Sequence, residues 1–143
     1  MRLFVWCIAF SACATAAPTV PDASQNPKGI SVSLGEEFQL LNNQVATIGR
    51  EGLRLHFDQV SVDGRCSVGS TCSDEGDALV EIVAAQPPNE SASMTLHTRP
   101  SLPTAEIYRG YRIKLVRLEP MPVGEQPVPL QKYTATIVVS VRD

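Results

Sequence analysis

The sequence predicts one all-β domain, a single antiparallel β-sandwich or small barrel of about eight strands that follows an N-terminal signal segment. In several stretches apolar and polar residues alternate with a period of two, as in strands that bury one face. Turn signals rich in proline and glycine separate these stretches and leave no long window of helical periodicity. Of the 143 residues, 43% are hydrophobic and 19% are charged, a balance typical of one soluble domain.

Residues 1–17 have the pattern of an export signal. Arg2 precedes a short apolar run, and small residues follow that run. The run is too short to cross the hydrocarbon core of a membrane. Ala14-Thr15-Ala16 fits ordinary signal cleavage, whereas Phe10-Ser11-Ala12-Cys13 resembles the bacterial lipobox, in which the cysteine is lipidated. Both interpretations stay open, and the mature protein is expected to begin at Cys13 or shortly after it.

Residues 18–29 are rich in proline and polar side chains, which cannot build a core, so they are predicted to form a flexible linker. The all-β domain is expected to span residues 30–143. Its strands are predicted, in chain order, at Ile30–Leu34, 36–41, 44–48, 53–62, Ala78–Ala85, Ser93–Thr98, Tyr111–Leu118 and Tyr133–Val141. The odd-numbered residues of the last strand are all apolar and are predicted to face the core.

Two local features are predicted within this pattern. The parity of the apolar residues changes after Phe57, which indicates a β-bulge near Asp58-Gln59. Asn42-Asn43 lies between 36–41 and 44–48, and asparagine tolerates the positive φ of two-residue hairpin turns. These two short strands are therefore expected to pair with each other, although their apolar residues would also fit one short helix.

Export also determines the expected state of the cysteines. Cys7 leaves with the signal and Cys13 is either removed or lipidated, so Cys66 and Cys72 remain. In an oxidising compartment such a pair is expected to form a disulfide, which here closes a small ring. Zinc is the rival interpretation, but the chain has only two histidines and no second close cysteine pair to complete a site.

The segment from Phe57 to Ala78 contains a motif that includes Asp63-Gly64-Arg65-Cys66, a second cysteine after five residues, and Gly76. It resembles a family of small, largely uncharacterised secreted bacterial proteins and lipoproteins, with the pattern F-x-x-V-x-x-D-S-R-C-P, five residues between the two cysteines, and then C-V-W-x-G-x-A. This chain departs from the pattern at Gly64, Ser67 and Ser73-Asp74. The resemblance implies an all-β fold and export, and it implies no known activity.

Within this motif the expected role is structural. Asp63 can pair with Arg65, and the ring would fix the position at which the next strand begins. The alternative is a recognition loop presented on a rigid scaffold, since such loops commonly carry binding. Its candidate contact residues are Asp63, Arg65, Asp74, Glu75 and Asp77.

No catalytic motif is found, and we expect no enzyme, no cofactor and no bound metal. Two histidines are too few for most hydrolase sites. A soft copper site from Met94, His97, His56 and Met121 is a weak alternative, because Met94 and His97 point to opposite faces of their predicted strand. The net charge of −3 gives no broad basic field, which argues against nucleic acid as a partner.

The sequence as a whole predicts an exported, non-enzymatic, envelope-associated binding or structural module of unknown ligand. Its expected location is the periplasm or, through a lipid on Cys13, the outer membrane; otherwise the protein is secreted. Its expected partner is an unknown envelope protein or polymer, with no membrane contact beyond that lipid, and the protein is expected to be a monomer. The alternatives are a β-sandwich inhibitor of extracytoplasmic proteases, using loops 63–77 or 100–109, and a periplasmic metal-binding protein.

The C-terminal half carries dispersed basic residues, and two interpretations of them stay open. They are either the outward face of a strand that protects a sheet edge or a patch for anionic envelope polymers. The residues concerned are Arg99, Arg109, Arg112, Lys114 and Arg117.

Overall fold

The structure is a computed structural model that describes residues 29–50 and 52–142. The signal segment predicted at 1–17, with Cys13, and the predicted linker up to residue 28 lie outside the described residues. A single 3-10 turn, Leu130–Lys132, and nine strands form in the described part of the chain. The strands are β1 Ile30–Val32, β2 Glu37–Leu41, β3 Val45–Ile48, β4 Leu53–Asp63, β5 Ala78–Ala85, β6 Ala92–His97, β7 Ala105–Tyr108, β8 Tyr111–Glu119 and β9 Thr134–Val141.

The nine strands form two sheets that pack as a β-sandwich and do not close into a barrel. Sheet A has the strand order β1-β3-β4-β5-β6, and sheet B has the order β2-β9-β8-β7. All neighbouring strands are antiparallel except β1 and β3. The all-β sandwich predicted from the sequence is therefore confirmed. Among the described residues, no helix is both long enough and apolar enough to cross a membrane.

The core lies between the sheets, because alternate residues of each strand point inward. In β5 the alternation is complete: Ala78, Val80, Ile82 and Ala84 are buried, and the residues between them are half-buried. The largest fully buried side chains come from both sheets: Phe57, Leu40, Ile48, Leu53, Leu55, Ile82, Leu96, Ile113, Ile137, Val80 and Val139. Burial of each such side chain contributes about 1.5 to 3 kcal/mol.

The bulge predicted near Asp58-Gln59 is present, since the register of β4 against β5 shifts between Phe57 and Gln59. An additional strand, β7, was not expected. It forms a hairpin with β8 through a two-residue turn in which Arg109 has φ 48° and Gly110 has φ 84°. Positive φ at both positions is the geometry of a type I′ hairpin turn.

The hairpin predicted around Asn42-Asn43 is wrong, although the turn itself forms. Asn43 has φ 64°, and the Gln44 N–H donates to the Leu41 carbonyl over 2.9 Å. However, β2 pairs with β9, whereas β3 pairs with β1 and β4. The turn therefore carries the chain from sheet B to sheet A, a choice that depends on partners far away in the sequence.

The predicted inward face of β9 is confirmed for Ala135, Ile137 and Val139, and Tyr133 before the strand is also buried. Val141 is 62% exposed, because it lies at the end of the strand beyond the core. On the opposite face Thr136 is only 3% exposed, and its hydroxyl has no hydrogen-bond partner among the described residues. The outer face of sheet B thus contains one buried and unsatisfied polar group.

Candidate functional site

Antiparallel pairing brings three long connections to the same end of the sandwich. They are residues 64–77 between β4 and β5, 98–104 between β6 and β7, and 120–133 between β8 and β9. We call this the disulfide end. The opposite end, which we call the hairpin end, consists of residues 49–50, 86–91, 109–110 and 142. The part of the sequence motif from Gly64 to Asp77 lies at the disulfide end, and Asp63 precedes it as the last residue of β4.

An ion pair between Asp63 and Arg65 forms the base of the disulfide end. Arg65 is only 8% exposed, and its Nε and Nη2 donate to the two carboxylate oxygens of Asp63 over 2.8 and 2.7 Å. This two-point geometry is the strongest arrangement available to an arginine and a carboxylate. The expected pairing of Asp63 with Arg65 is therefore observed, as a nearly buried ion pair that we call the brace.

The same arginine also ties β4 to the end of β8. Its Nη1 donates to the Leu118 carbonyl over 2.6 Å, and its Nη2 donates to the Pro120 carbonyl over 2.8 Å. Tyr133, at the start of β9, donates its hydroxyl to Asp63 over 2.8 Å. One charged pair thus joins the end of β4 to two segments that lie more than fifty residues later in the sequence.

The pKa values of Asp63 and Tyr133 in this cluster lie well away from neutral pH, so both groups keep one protonation state there. Burial raises the pKa of the Asp63 carboxyl, but the hydrogen bonds from Arg65 and Tyr133 and the charge of Arg65 outweigh burial and lower it. Burial together with the Asp63 carboxylate raises the pKa of Tyr133 to about 12. At neutral pH Asp63 is an engaged anion and Tyr133 a neutral donor, so neither group is poised to exchange a proton with a substrate.

The disulfide predicted between Cys66 and Cys72 is present, with the two Cα atoms 6.0 Å apart. The ring is held against the proline-rich loop at 120–129, since the Val68 N–H donates to the Pro122 carbonyl over 2.9 Å. The Ser67 hydroxyl donates to the Gly124 carbonyl over 2.8 Å. The ring and the loop therefore form one connected surface.

Position 76 requires a glycine for a steric reason. Its φ is 69°, and a Cβ built there would come within 2.0 Å of the Gly64 carbonyl oxygen. No other residue fits this position without a shift of the backbone. In this chain, glycine is therefore required shortly before β5 begins.

Asp77 organises the start of β5. Its carboxylate lies 2.6 Å from His97 Nδ1 and accepts hydrogen bonds from the backbone N–H groups of Thr98 and Arg99, each over 3.0 Å. Burial raises the pKa of Asp77, but these partners together lower it. The Asp77 side chain thus joins the start of β5 to the end of β6.

A cleft of about 580 Å³ opens between the ring and the proline-rich loop. Asp63, Arg65 and Tyr133 lie at its base, and loop residues form the walls. The wall residues are Val60, Ser67, Pro122, Gly124, Glu125, Gln126, Pro127, Val128 and Leu130.

The five candidate contact residues predicted from the sequence separate into two groups. Asp63, Arg65 and Asp77 are engaged in internal hydrogen bonds. Asp74 accepts from the Gly76 N–H over 2.8 Å but stays exposed, as does Glu75. Tyr133 and the proline-rich loop are not predictable as parts of this site, since no local signal places them beside a motif that lies about sixty residues earlier.

The groups considered for copper are each used elsewhere. Met94 is buried in the core, His97 contacts Asp77, and His56 Nε2 lies 3.0 Å from Asn43 Oδ1. Met121 Sδ lies 3.5 Å from Arg65 Nη1. Within residues 29–50 and 52–142, no three His, Cys, Asp or Glu side chains come close enough to hold a metal ion.

Comparisons with models of protein families, with curated proteins and with solved structures find no match for this chain. What the disulfide end can do therefore follows from its own residues.

Acid should destabilise the protein through Asp63 and Asp77. Both pKa values are lowered from 3.8 by folding, so the folded state binds these protons less readily than the unfolded state. Their contribution is fully present above about pH 5 and is lost as the pH falls through the lowered values. Thermal unfolding should show a steep loss below pH 4 that is shallower in Asp77→Asn. An unchanged acid slope in that variant, matching the exposed control Asp58→Asn, would contradict the assignment.

Removing the disulfide should weaken the fold without abolishing it. The ring is short, so the double variant Cys66→Ser/Cys72→Ser should lose about 2 to 3 kcal/mol of unfolding free energy, through the greater entropy of its unfolded chain. Urea denaturation of the full chain measures this loss. A variant that fails to fold would show that the ring does more than restrict the unfolded chain.

Proposed function

We propose that this protein is an exported, non-enzymatic binding module of the cell envelope, and that its disulfide end holds an extended segment of a partner protein. The main observation that supports this proposal is the cluster of exposed apolar side chains at that end. Val68 is 59% exposed and Val123 is 67% exposed, and these two residues pair across the ring and the proline-rich loop. Exposed apolar side chains that cluster beside a cleft are typical of protein interaction sites.

The apolar surface extends around the cleft. Five of the ten large apolar side chains that are exposed in the described chain belong to the connections of this end, and two more lie at the adjoining ends of β2 and β4. The five are Val68, Leu102, Met121, Val123 and Leu130, and the two are Leu41 and Val62. Covering them would remove apolar area from water, which is the general driving force of protein association. The connections of the hairpin end contain none of the ten, and the remaining three, Ile107, Val116 and Val141, lie in strands of sheet B.

The surface is also held in place before any partner arrives. The ring is closed covalently, and backbone and side-chain hydrogen bonds attach it to the proline-rich loop. The Asp63–Arg65 pair fixes the base of the cleft. A surface that is already ordered loses little conformational entropy on binding, which favours affinity.

The chemistry of the cleft favours binding over catalysis. Asp63, Arg65 and Tyr133 satisfy one another, and the lowered pKa of Asp63 and the raised pKa of Tyr133 remove both from general acid-base use near neutral pH. A non-enzymatic role is the proposal that these pKa shifts support.

Charge indicates the kind of segment that would bind. One exposed carboxylate, Glu125, lines the cleft. The other exposed carboxylates near this end are Asp74 and Glu75, before β5, and Glu119, at the end of β8; Asp74 also pairs with Arg99 and Glu119 with Arg117. Charges at the rim of an interface act mainly on the rate and selectivity of association. We therefore expect a partner segment in which basic residues flank apolar ones.

Export is supported by the disulfide, because such bonds persist in oxidising compartments. Mass spectrometry of the mature protein should find an N-terminus at Cys13 or between Ala14 and Pro18. If Cys13 carries lipid, Cys13→Ser should move the protein from the membrane fraction to the soluble fraction. An intact Met1 on a cytoplasmic protein would overturn the proposal.

The ligand surface is tested by site-specific photo-crosslinking in the producing cell. A photoreactive residue at position 123 should give a discrete protein adduct, whereas the same residue at position 141, also exposed but at the other end, should not. Val68→Asp should abolish the adduct, and the control Val116→Asp on the outer face of sheet B should leave it intact. Equal adducts from both positions would overturn the proposed surface.

A protease panel separates the inhibitor alternative from this proposal. An inhibitor would block a protease stoichiometrically and would lose inhibition on substitution of Val68. Turnover of any substrate by the purified protein that depends on Asp63 would overturn the non-enzymatic role.

A further inference from the structure

A second, chemically different pocket lies at the hairpin end. It is open and shallow, with a volume of about 620 Å³, and its lining is mainly polar. The residues that line it are Gln86, Pro87, Asn89, Arg109 and Tyr111. The first three come from the β5–β6 connection. Arg109 belongs to the turn between β7 and β8, and Tyr111 is the first residue of β8. This pocket is separated by the length of the strands from the surface proposed for a protein partner.

The surroundings of this pocket are basic. The Arg142 N–H donates to the Gly110 carbonyl over 2.8 Å, which places Arg142 beside the hairpin turn. Arg112 is the second residue of β8, on the strand face opposite Tyr111. Arg109, Arg112 and Arg142 form no ion pair with any residue that the structure describes. The nearest acid in the same connection, Glu90, does not neutralise them, so the positive charge is available to a ligand.

Two polar groups in the pocket lack internal partners. The Tyr108 hydroxyl donates to the Glu90 carbonyl and the Tyr133 hydroxyl donates to Asp63, but the hydroxyl of the half-buried Tyr111 meets no partner in the described chain. The side-chain amide of the half-buried Asn89 is likewise unpartnered there. Both groups remain accessible to water, since neither is among the buried side-chain polar atoms without a partner in the described chain, and they can therefore exchange water for a ligand.

Arg109 itself sits where local backbone preference would not place it. With φ 48° at Arg109 and φ 84° at Gly110, the turn favours asparagine or glycine at the first position. An arginine there costs turn stability, because positive φ is unfavourable for a residue with a long side chain. A backbone outlier of this kind is evidence that the side chain serves another purpose.

We propose that this pocket binds a carboxylated sugar unit of an acidic polysaccharide. The Arg109 guanidinium pairs with the sugar carboxylate, since planar two-point recognition of carboxylates is the particular property of arginine. The Tyr111 hydroxyl and the Asn89 amide bind ring hydroxyls, and Pro87 and the Tyr111 ring offer apolar surface to the C–H face of the sugar. A simple anion would use the charge alone and would leave both polar groups bound to water.

The test is a titration of the isotope-labelled full chain with trigalacturonate, followed by NMR. Saturable shifts should appear at residues 86–89 and 109–111. Arg109→Asn should weaken binding by about 10-fold or more, through loss of a charge-assisted hydrogen bond. The same variant creates the favoured Asn-Gly turn, so its thermal stability should be unchanged or higher. Weaker binding in this variant therefore cannot come from misfolding. Tyr111→Phe should weaken binding without changing its dependence on salt.

The control is Arg117→Asn, which makes the same change of net charge on β8 near the other end and should bind as the wild type does. Maltotriose, a neutral sugar of the same length, should bind at least about 10-fold more weakly than trigalacturonate. Equal weakening by Arg109→Asn and Arg117→Asn would show unspecific attraction and overturn the proposal. Inorganic phosphate binding as tightly as trigalacturonate, or shifts confined to the disulfide end, would overturn it as well.

Discussion

Replacing Arg65 with alanine should lower the free energy of unfolding by about 3 to 5 kcal/mol, the range expected when one member of a buried ion pair is removed. Arg65 and Asp63 are both nearly buried, so the variant leaves an ionised carboxylate without its cation. The carbonyls of Leu118 and Pro120 lose their donors in the same step. Urea denaturation at pH 7 measures the loss.

The control for this prediction is Arg117→Ala, which removes an arginine from an exposed ion pair with Glu119. Surface pairs of this kind contribute less than about 1 kcal/mol. The deficit of Arg65→Ala should also shrink at acid pH, because protonation of Asp63 removes the unpaired charge. Similar losses in the two variants, or a deficit that does not depend on pH, would show that the brace is not electrostatic.

Replacing Ile137 with alanine should cost about 2 to 5 kcal/mol, through the lost transfer free energy and the residual cavity. Ile137 is fully buried at the middle of β9, between Phe38 of β2 and Leu115 of β8. Since domains typically have about 5 to 15 kcal/mol in total, this is a large share of the stability. Chemical denaturation of the purified variant gives the value.

Thr136, its neighbour in β9, provides a matched control on the opposite face. The valine substitution keeps the shape and replaces a buried hydroxyl that has no partner in the described chain. Thr136→Val should therefore leave stability unchanged or raise it by about 1 kcal/mol. The sequence alone predicts a solvent-facing position here, for which a change to alanine would cost little. A loss in Thr136→Val equal to that in Ile137→Ala would contradict the assignment of the two faces.

Much of the fold is readable from local sequence, because a half-buried strand must alternate its side chains. That rule locates β4, β5, β8 and β9, and it finds the bulge after Phe57. It misses β7, a four-residue edge strand whose only buried residue is Tyr108. The turn at Asn42-Asn43 is predicted for the correct reason, but a local turn signal does not state which strands its two flanks join.

The candidate site is less readable. The Asp63–Arg65 pair and the ring are predicted because their members lie close in sequence. The contacts of Arg65 with Leu118 and Pro120, and of Asp63 with Tyr133, depend on how the two sheets pack. For a charged residue of the motif, the sequence alone thus does not show whether its side chain is buried in an internal ion pair or exposed for contact with a ligand.

The position of β9 has a consequence for how the chain folds. It is the last strand along the described chain, yet it lies between β2 and β8 at the centre of its sheet. Sheet B has only the short β7–β8 hairpin until β9 is available, and β2 must wait for a partner almost one hundred residues later. Because closing such a long loop costs entropy before any contact is gained, pairing of this kind makes folding slow. A chain still being delivered from its N-terminus would therefore keep β2 unpaired, and one edge of β8 open, until the delivery is nearly complete.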